Sequence, residues 1–192
     1  MKQRIFIAIN LPKEIKKKLV NYQVKWPELP IKWVKKDNLH ITLVFLGNIS
    51  DKEIPEILNI TQEIAQKHNP FSISLNEICY APPKKMPPRM IWAKGEKLEE
   101  LTKLYRDLEG ALFTSPFKGM LKPDNRPYSL HITLGRIHQW EFKQIEPEER
   151  PEVSENISLS FPVNSIEIME SRLKRTGAEY AILNSYRLKS EE

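Results

Sequence analysis

The chain has 192 residues, 40% of them hydrophobic and 29% charged, with a formal net charge of +5. That length can bury a substantial core in one or two domains, and the balance is that of a soluble globular protein rather than a disordered one. The single cysteine, Cys79, excludes an internal disulfide and a cysteine-based zinc site, and its setting in Ile78-Cys79-Tyr80 reads as a buried strand thiol. No stretch approaches the roughly 18 apolar residues of a membrane span, and the apolar run within Met1 to Ile9 is too short for a signal peptide. A soluble, cytoplasmic protein is expected. Lysines cluster at 16–18, 35–36 and 84–85, which fits either a polyanionic partner such as nucleic acid or a solvated basic surface.

In chain order, Arg4 to Ile9 is an apolar run of strand length, and Lys13 to Trp26 carries Ile15, Leu19, Tyr22 and Trp26 at helical spacing. Ile31 to Val34 and Leu39 to Leu46 read as strands. Ser50-Asp51-Lys52-Glu53 has the form of a capping box opening a helix that buries Ile54, Ile57, Leu58, Ile64 and Ala65. Alternation returns over Phe71 to Tyr80, a proline-rich basic loop covers 81–89, and Met90 to Ala93 reads as a strand. Leu98 to Leu112 is a second long amphipathic helix, 115–128 a loop, and Leu130 to Ile137 a strand. Trp140 to Ile157 reads as a charged connection, after which Val163 to Glu170 and Ala178 to Leu183 form strands about a turn at Thr176-Gly177. Short intervals leave little room for parallel crossovers, so the fold class is α+β with antiparallel or mixed sheets.

One tetrapeptide occurs twice, His-Ile-Thr-Leu at 40–43 and again at 131–134, each preceded by leucine. On a strand the polar pair His40 and Thr42 shares one face while Leu39, Ile41 and Leu43 share the other, and His131 and Thr133 repeat the pattern. The repeat implies two pseudo-symmetric lobes, each a sheet backed by helices, whose polar faces meet across a central cleft. With no linker between them, the lobes are expected to intertwine as a single bilobal domain spanning 1–192. Two histidines facing one site suit phosphodiester chemistry without a metal: one, neutral, takes a proton from the attacking oxygen while the other, protonated, gives one to the leaving oxygen. The threonine hydroxyls can donate to non-bridging phosphate oxygens. Neither motif has carboxylates or cysteine at a ligand spacing, so no metal and no cofactor is expected.

Paired His-x-Thr-x motifs resemble the signature of the 2H phosphoesterase superfamily. Their context is similar to the bacterial and archaeal RNA 2',3'-cyclic phosphodiesterases, also called 2'-5' RNA ligases. The stretches R-I-F-I-A-I-N-L-P, I-K-W-V-K-K-D-N-L-H-I-T-L-V-F-L-G, P-R-M-I-W-A, R-P-Y-S-L-H-I-T-L-G-R and I-E-I-M-E-S-R-L carry the resemblance over residues 4 to about 186. It implies a bilobal α+β enzyme that opens RNA 2',3'-cyclic phosphate ends, tRNA fragments among them, to 2'-phosphomonoesters. Reversible 2'-5' ligation and a monomeric state also belong to this expectation. It further implies that His40 is the proton donor, His131 the acceptor, and that Thr42 and Thr133 hold the phosphate. A small cyclic nucleotide as substrate, or a non-catalytic RNA-binding module, are the competing readings.

Further RNA-binding candidates are Arg126, Arg136, Lys35, Arg89 and Tyr128. Counted along an unbroken strand, Arg136 points with Leu134 away from the cleft, unless Gly135 breaks the register. Phe45 and Trp92 are expected mainly in the core, with stacking on a terminal base as the alternative. His68 and His138, without a threonine partner, read as surface histidines.

Overall fold

In the computed structural model, residues 2–83, 85–114, 127–175 and 177–189 are described. Among them, nine strands and four helices follow in the order β1 (Lys2–Asn10), α1 (Lys13–Gln23), β2 (Ile31–Trp33), β3 (His40–Ser50), α2 (Ile54–Ala65), β4 (Phe71–Ala81) and β5 (Met90–Gly95). Then come α3 (Glu99–Thr114), β6 (His131–Ile137), α4 (Gln139–Gln144), β7 (Ser154–Val163), β8 (Ser165–Lys174) and β9 (Gly177–Arg187). Apart from the short strand β2 between α1 and β3, each half of the chain runs strand, helix, motif strand, helix, strand: β1-α1-β3-α2-β4 in the first and β5-α3-β6-α4-β7 in the second.

The strands make two antiparallel sheets, β3-β1-β8-β9 and β2-β6-β5-β4-β7. The first sheet takes two strands from the start of the chain and two from its end. The second takes β2 and β4 from the first half. The lobes are thus interwoven, and one continuous apolar cluster joins them, from Ile5, Ile7 and Ile9 of β1 to Ile91 and Ala93 of β5 and Ile132 and Leu134 of β6. β1 is buried on both faces. Its other side carries Phe6 and Ala8, which form with Met169 a small separate cluster beneath Tyr180. That patch underlies the cleft.

Three expectations change. The connection drawn through Trp140 to Ile157 holds α4 and the start of β7, a strand that buries Ile157, Leu159, Phe161 and Val163 in strict alternation. Pro162 makes it look like a break, yet β7 is the edge of its sheet, where a missing N–H costs no ladder bond. The capping box does not begin α2. Ser50 still ends β3, and the Glu53 carboxylate accepts from the Ser50 N–H at 2.7 Å and from its hydroxyl, closing a turn before the helix starts at Ile54. His68, expected on the surface, is only 6% exposed, and its Nε2 lies 2.9 Å from the Asp107 carboxylate, while His138 is exposed beside Glu141.

Among the lysines, Lys16 leaves the solvated run. It is buried, and its ammonium donates to the Asp37 carbonyl at 2.8 Å. Cys79 is half-buried on β4, and burial pushes its thiol pKa up. Among the described residues no helix is long and apolar enough to cross a membrane.

Candidate active site

The two motif strands reach the cleft by the same construction. In β3, Ile41 and Leu43 are buried while His40 and Thr42 are half-buried on the opposite face; in β6, Ile132 and Leu134 are buried and His131 and Thr133 half-buried. The register then breaks at the same place in both. Ala8 lies opposite Thr42 and Ile7 opposite Val44, leaving Leu43 as an extra residue. Trp92 lies opposite Thr133 and Ile91 opposite Gly135, leaving Leu134 extra. A bulge of this kind re-aims the residues that follow it. Phe45 in β3 and Arg136 in β6, three positions beyond the threonine in each, are thereby turned onto the cleft face. Gly135 is required at the second bulge, because an added Cβ would stand 2.5 Å from Ile31 Cδ1 and 2.9 Å from the Trp33 ring.

A cleft of about 350 Å³ lies between the sheets, bordered by His40, Thr42, His131, Thr133, Arg136 and Phe45. The strands approach through short links: the Val34 N–H donates to the Leu134 carbonyl at 2.8 Å, and the Tyr128 hydroxyl donates to the Thr42 carbonyl at 2.9 Å.

Both histidines are held alike. Nδ1 of His40 lies 2.7 Å from the Asn38 carbonyl, and Nδ1 of His131 lies 2.7 Å from the Ser129 carbonyl, two residues earlier in each case. A carbonyl only accepts, so each Nδ1 carries the hydrogen and Nε2 is the titrating position. The Nε2 of His40 lies 2.9 Å from the Thr42 hydroxyl. With His40 neutral, that hydroxyl donates into the ring. Burial pulls both histidine pKa values below the ordinary range, although the carbonyl contacts oppose it. For His40 the Lys16 ammonium and His131 add to the lowering.

The ring environments differ. His40 packs against Phe6 and the edge of Tyr180, with centroids 5.0 and 5.1 Å away. His131 lies nearly parallel on Trp92, centroids 3.9 Å apart, and an indole face attracts a cation. The Trp92 Nε1 is buried with no partner among the described residues.

The sequence-derived candidates separate clearly. His40, Thr42, His131, Thr133 and Arg136 meet in the cleft. Lys35 and Arg89 do not border it, and Arg126 lies outside the described residues. Tyr128 is stacked on Tyr105 at 4.6 Å with its hydroxyl engaged, and burial raises its pKa strongly. Phe45, expected in the core, is 51% exposed, whereas Trp92 sits beneath His131. Sequence reasoning missed Arg4, Phe6, Asn38 and Tyr180. The alternation of Arg4, Phe6 and Ala8 along β1 was a usable signal; Tyr180 arrives from the far end of the chain and had none. Among the described residues no three His, Cys, Asp or Glu side chains are grouped to hold a metal ion.

Interwoven antiparallel lobes each present a His-x-Thr strand to a shared cleft. The model of the LigT-like phosphoesterase family matches residues 9–92, which include the first motif. Curated proteins named RNA 2',3'-cyclic phosphodiesterase are similar over nearly the whole chain. The Thermotoga maritima protein is 31% identical, covering 94% of this chain and 92% of its own. The Methanocaldococcus jannaschii protein is 29% identical over 95% and 99%. A crystal structure from Thermus thermophilus superposes with a TM-score of 0.84 at 29% identity, covering 98% of this chain and all of that one. The chain belongs to the LigT-like phosphoesterases of the 2H superfamily.

Proposed function

We propose that the protein hydrolyses RNA 2',3'-cyclic phosphate ends to 2'-phosphomonoesters by acid–base catalysis between His40 and His131. One observation carries this reading: two imidazoles, each with Nδ1–H fixed by a carbonyl, border one cleft together with two threonine hydroxyls and an arginine. The names of the similar proteins support the substrate. In the reaction, His131 Nε2 takes a proton from water as its oxygen attacks phosphorus. The P–O3' bond breaks, and His40 Nε2–H protonates the departing O3', leaving the phosphate on O2'. Trp92 beneath His131 suits the cation that forms there. Thr42 exchanges its contact with His40 for a phosphate oxygen, Thr133 donates from the other lobe, and Arg136 balances the phosphate charge. With a 5'-hydroxyl in place of water as the nucleophile, the same groups make a 2'-5' bond as P–O3' breaks, and the reverse of that step, O3' attacking phosphorus as the 5'-oxygen leaves, cleaves it. The chain acts as one bilobal, monomeric domain on cytoplasmic RNA, tRNA fragments included.

The test is incubation of cyclic-phosphate-terminated RNA with EDTA-treated protein, followed by location of the phosphate. A 2'-phosphate formed at the untreated rate is expected. A 3'-phosphate product, or activity lost on chelation and restored by one divalent metal, would contradict the scheme.

A further inference from the structure

The cleft does not end at Phe45. A second hollow, of about 470 Å³, continues from it over the open face of the first sheet, and the two share Arg4, Phe45, Ser171 and Leu173. The hollow is lined beyond those four by Lys2, Gln3, Gly47, Asn48 and Glu170. Local structure explains it. β3 bulges a second time at Leu46, between the pairs Phe6–Phe45 and Ile5–Gly47, and Gly47 there takes φ +79°. That is the left-handed region, and since an added Cβ would meet nothing within 4 Å, conformation rather than space calls for glycine.

The chemistry of the hollow is mixed in a specific way. Phe45 is 51% exposed and Leu173 73% exposed, and the Arg4 guanidinium lies 4.9 Å from the Phe45 ring centroid. Lys2 and Arg4 alternate on the same face of β1 as Phe6, so the basic groups lead away from the cleft in a line. The carboxylate of Glu170 is matched by Arg172 Nε at 2.7 Å, so it does not cancel the charges of Arg4 and Lys2, although Glu53 lies near enough to Lys2 to feel its charge. An exposed aromatic backed by a cation, with further cations along a groove, is how a single strand of nucleic acid is held. Both hollows fall within the about 300–1,000 Å³ of small-ligand sites.

We infer that the second hollow is a subsite for the nucleotide preceding the cyclic phosphate, its base against Phe45 and Leu173 and its phosphodiester at Arg4 and Lys2. The inference rests on the phosphodiesterase reading above and adds a preference: the enzyme is built for a strand rather than a cyclic mononucleotide.

The test compares kcat/KM for adenosine 2',3'-cyclic phosphate with that for the dinucleotide ApA ending in the same cyclic phosphate. The dinucleotide is expected to be favoured about five- to a hundredfold, the range of one base stacked on an aromatic ring. Lys2→Ala with Leu173→Ala, which removes one phosphate contact and the aliphatic half of the base platform, should lower that ratio toward one. They should also reduce the slope of log kcat/KM against log salt for the dinucleotide by about 0.7, one single-strand phosphate contact. Equal kcat/KM for both substrates in the unaltered protein, or a ratio the double variant leaves intact, would overturn the subsite while keeping the phosphodiesterase. Turnover of neither substrate would remove the reading beneath it.

Discussion

His40 and His131 are chemically equivalent in the sequence and not in the fold. Each is fixed through Nδ1, but one sits between Phe6 and Tyr180 within reach of the Lys16 charge, and the other lies on Trp92. The paired motif, its polar face and its partner threonines were legible because strand alternation alone decides them. The neighbours of each ring were not, since Tyr180 and Trp92 come from strands whose pairing no local pattern specifies. The lowered pKa values have a consequence for rate. In the proposed mechanism the free enzyme carries one charged histidine, and burial disfavours that charge in both, so kcat/KM against pH should be bell-shaped with its optimum below 6.5. The two limbs belong to the pair. A bound phosphate anion favours the imidazolium, so the alkaline limb of kcat should lie at higher pH than that of kcat/KM. A kcat/KM optimum at or above pH 8 would mean that the histidines are not the titrating groups.

At the scale of elements, the matching bulges at Leu43 and Leu134 carry most of the site's design. Parity along an unbroken strand sends Arg136 away from the cleft; the extra residue returns it, and Phe45 with it. Bulges are set by what the partner strand can oppose, so a single strand's alternation does not announce them, although glycine at 135 is a hint. Gly135→Ala should force Ile31 and Trp33 aside. The expected cost is about 1–3 kcal/mol, that of overpacking a filled core. A denaturant titration checks it, and an unchanged midpoint would mean that β2 yields freely. The edge strand β7 shows the other limit of legibility. Its alternation is complete, but a proline and an acidic approach disguise it as a connection.

For the whole molecule, β1 and β3 share a sheet with β8 and β9, so each half of the chain depends on the other; in the sequence, only the absence of a linker between the two motifs pointed that way. His40, His68 and His131 are all held below the ordinary histidine pKa, burial being the largest cause, and for His68 it outweighs the Asp107 partner. The unfolded chain therefore binds more protons than the folded one below about pH 6.5, so stability should be fully present above that pH and fall as pH drops through it. Thermal unfolding at pH 8 and pH 5 reads this directly: the midpoint should be lower at pH 5, and a higher one would contradict the buried-neutral histidines.

The central claim is that each lobe contributes one proton-transferring imidazole, and alanine variants with two leaving groups test it most directly. On a cyclic phosphate, His40→Ala and His131→Ala should each lose roughly a hundredfold to ten-thousandfold in turnover. On a phosphodiester whose leaving oxygen is a nitrophenolate, needing little protonation, His40→Ala should recover most of its activity and His131→Ala very little. The opposite pattern would exchange the two roles; near-normal turnover of the cyclic phosphate by either variant would contradict the two-histidine account.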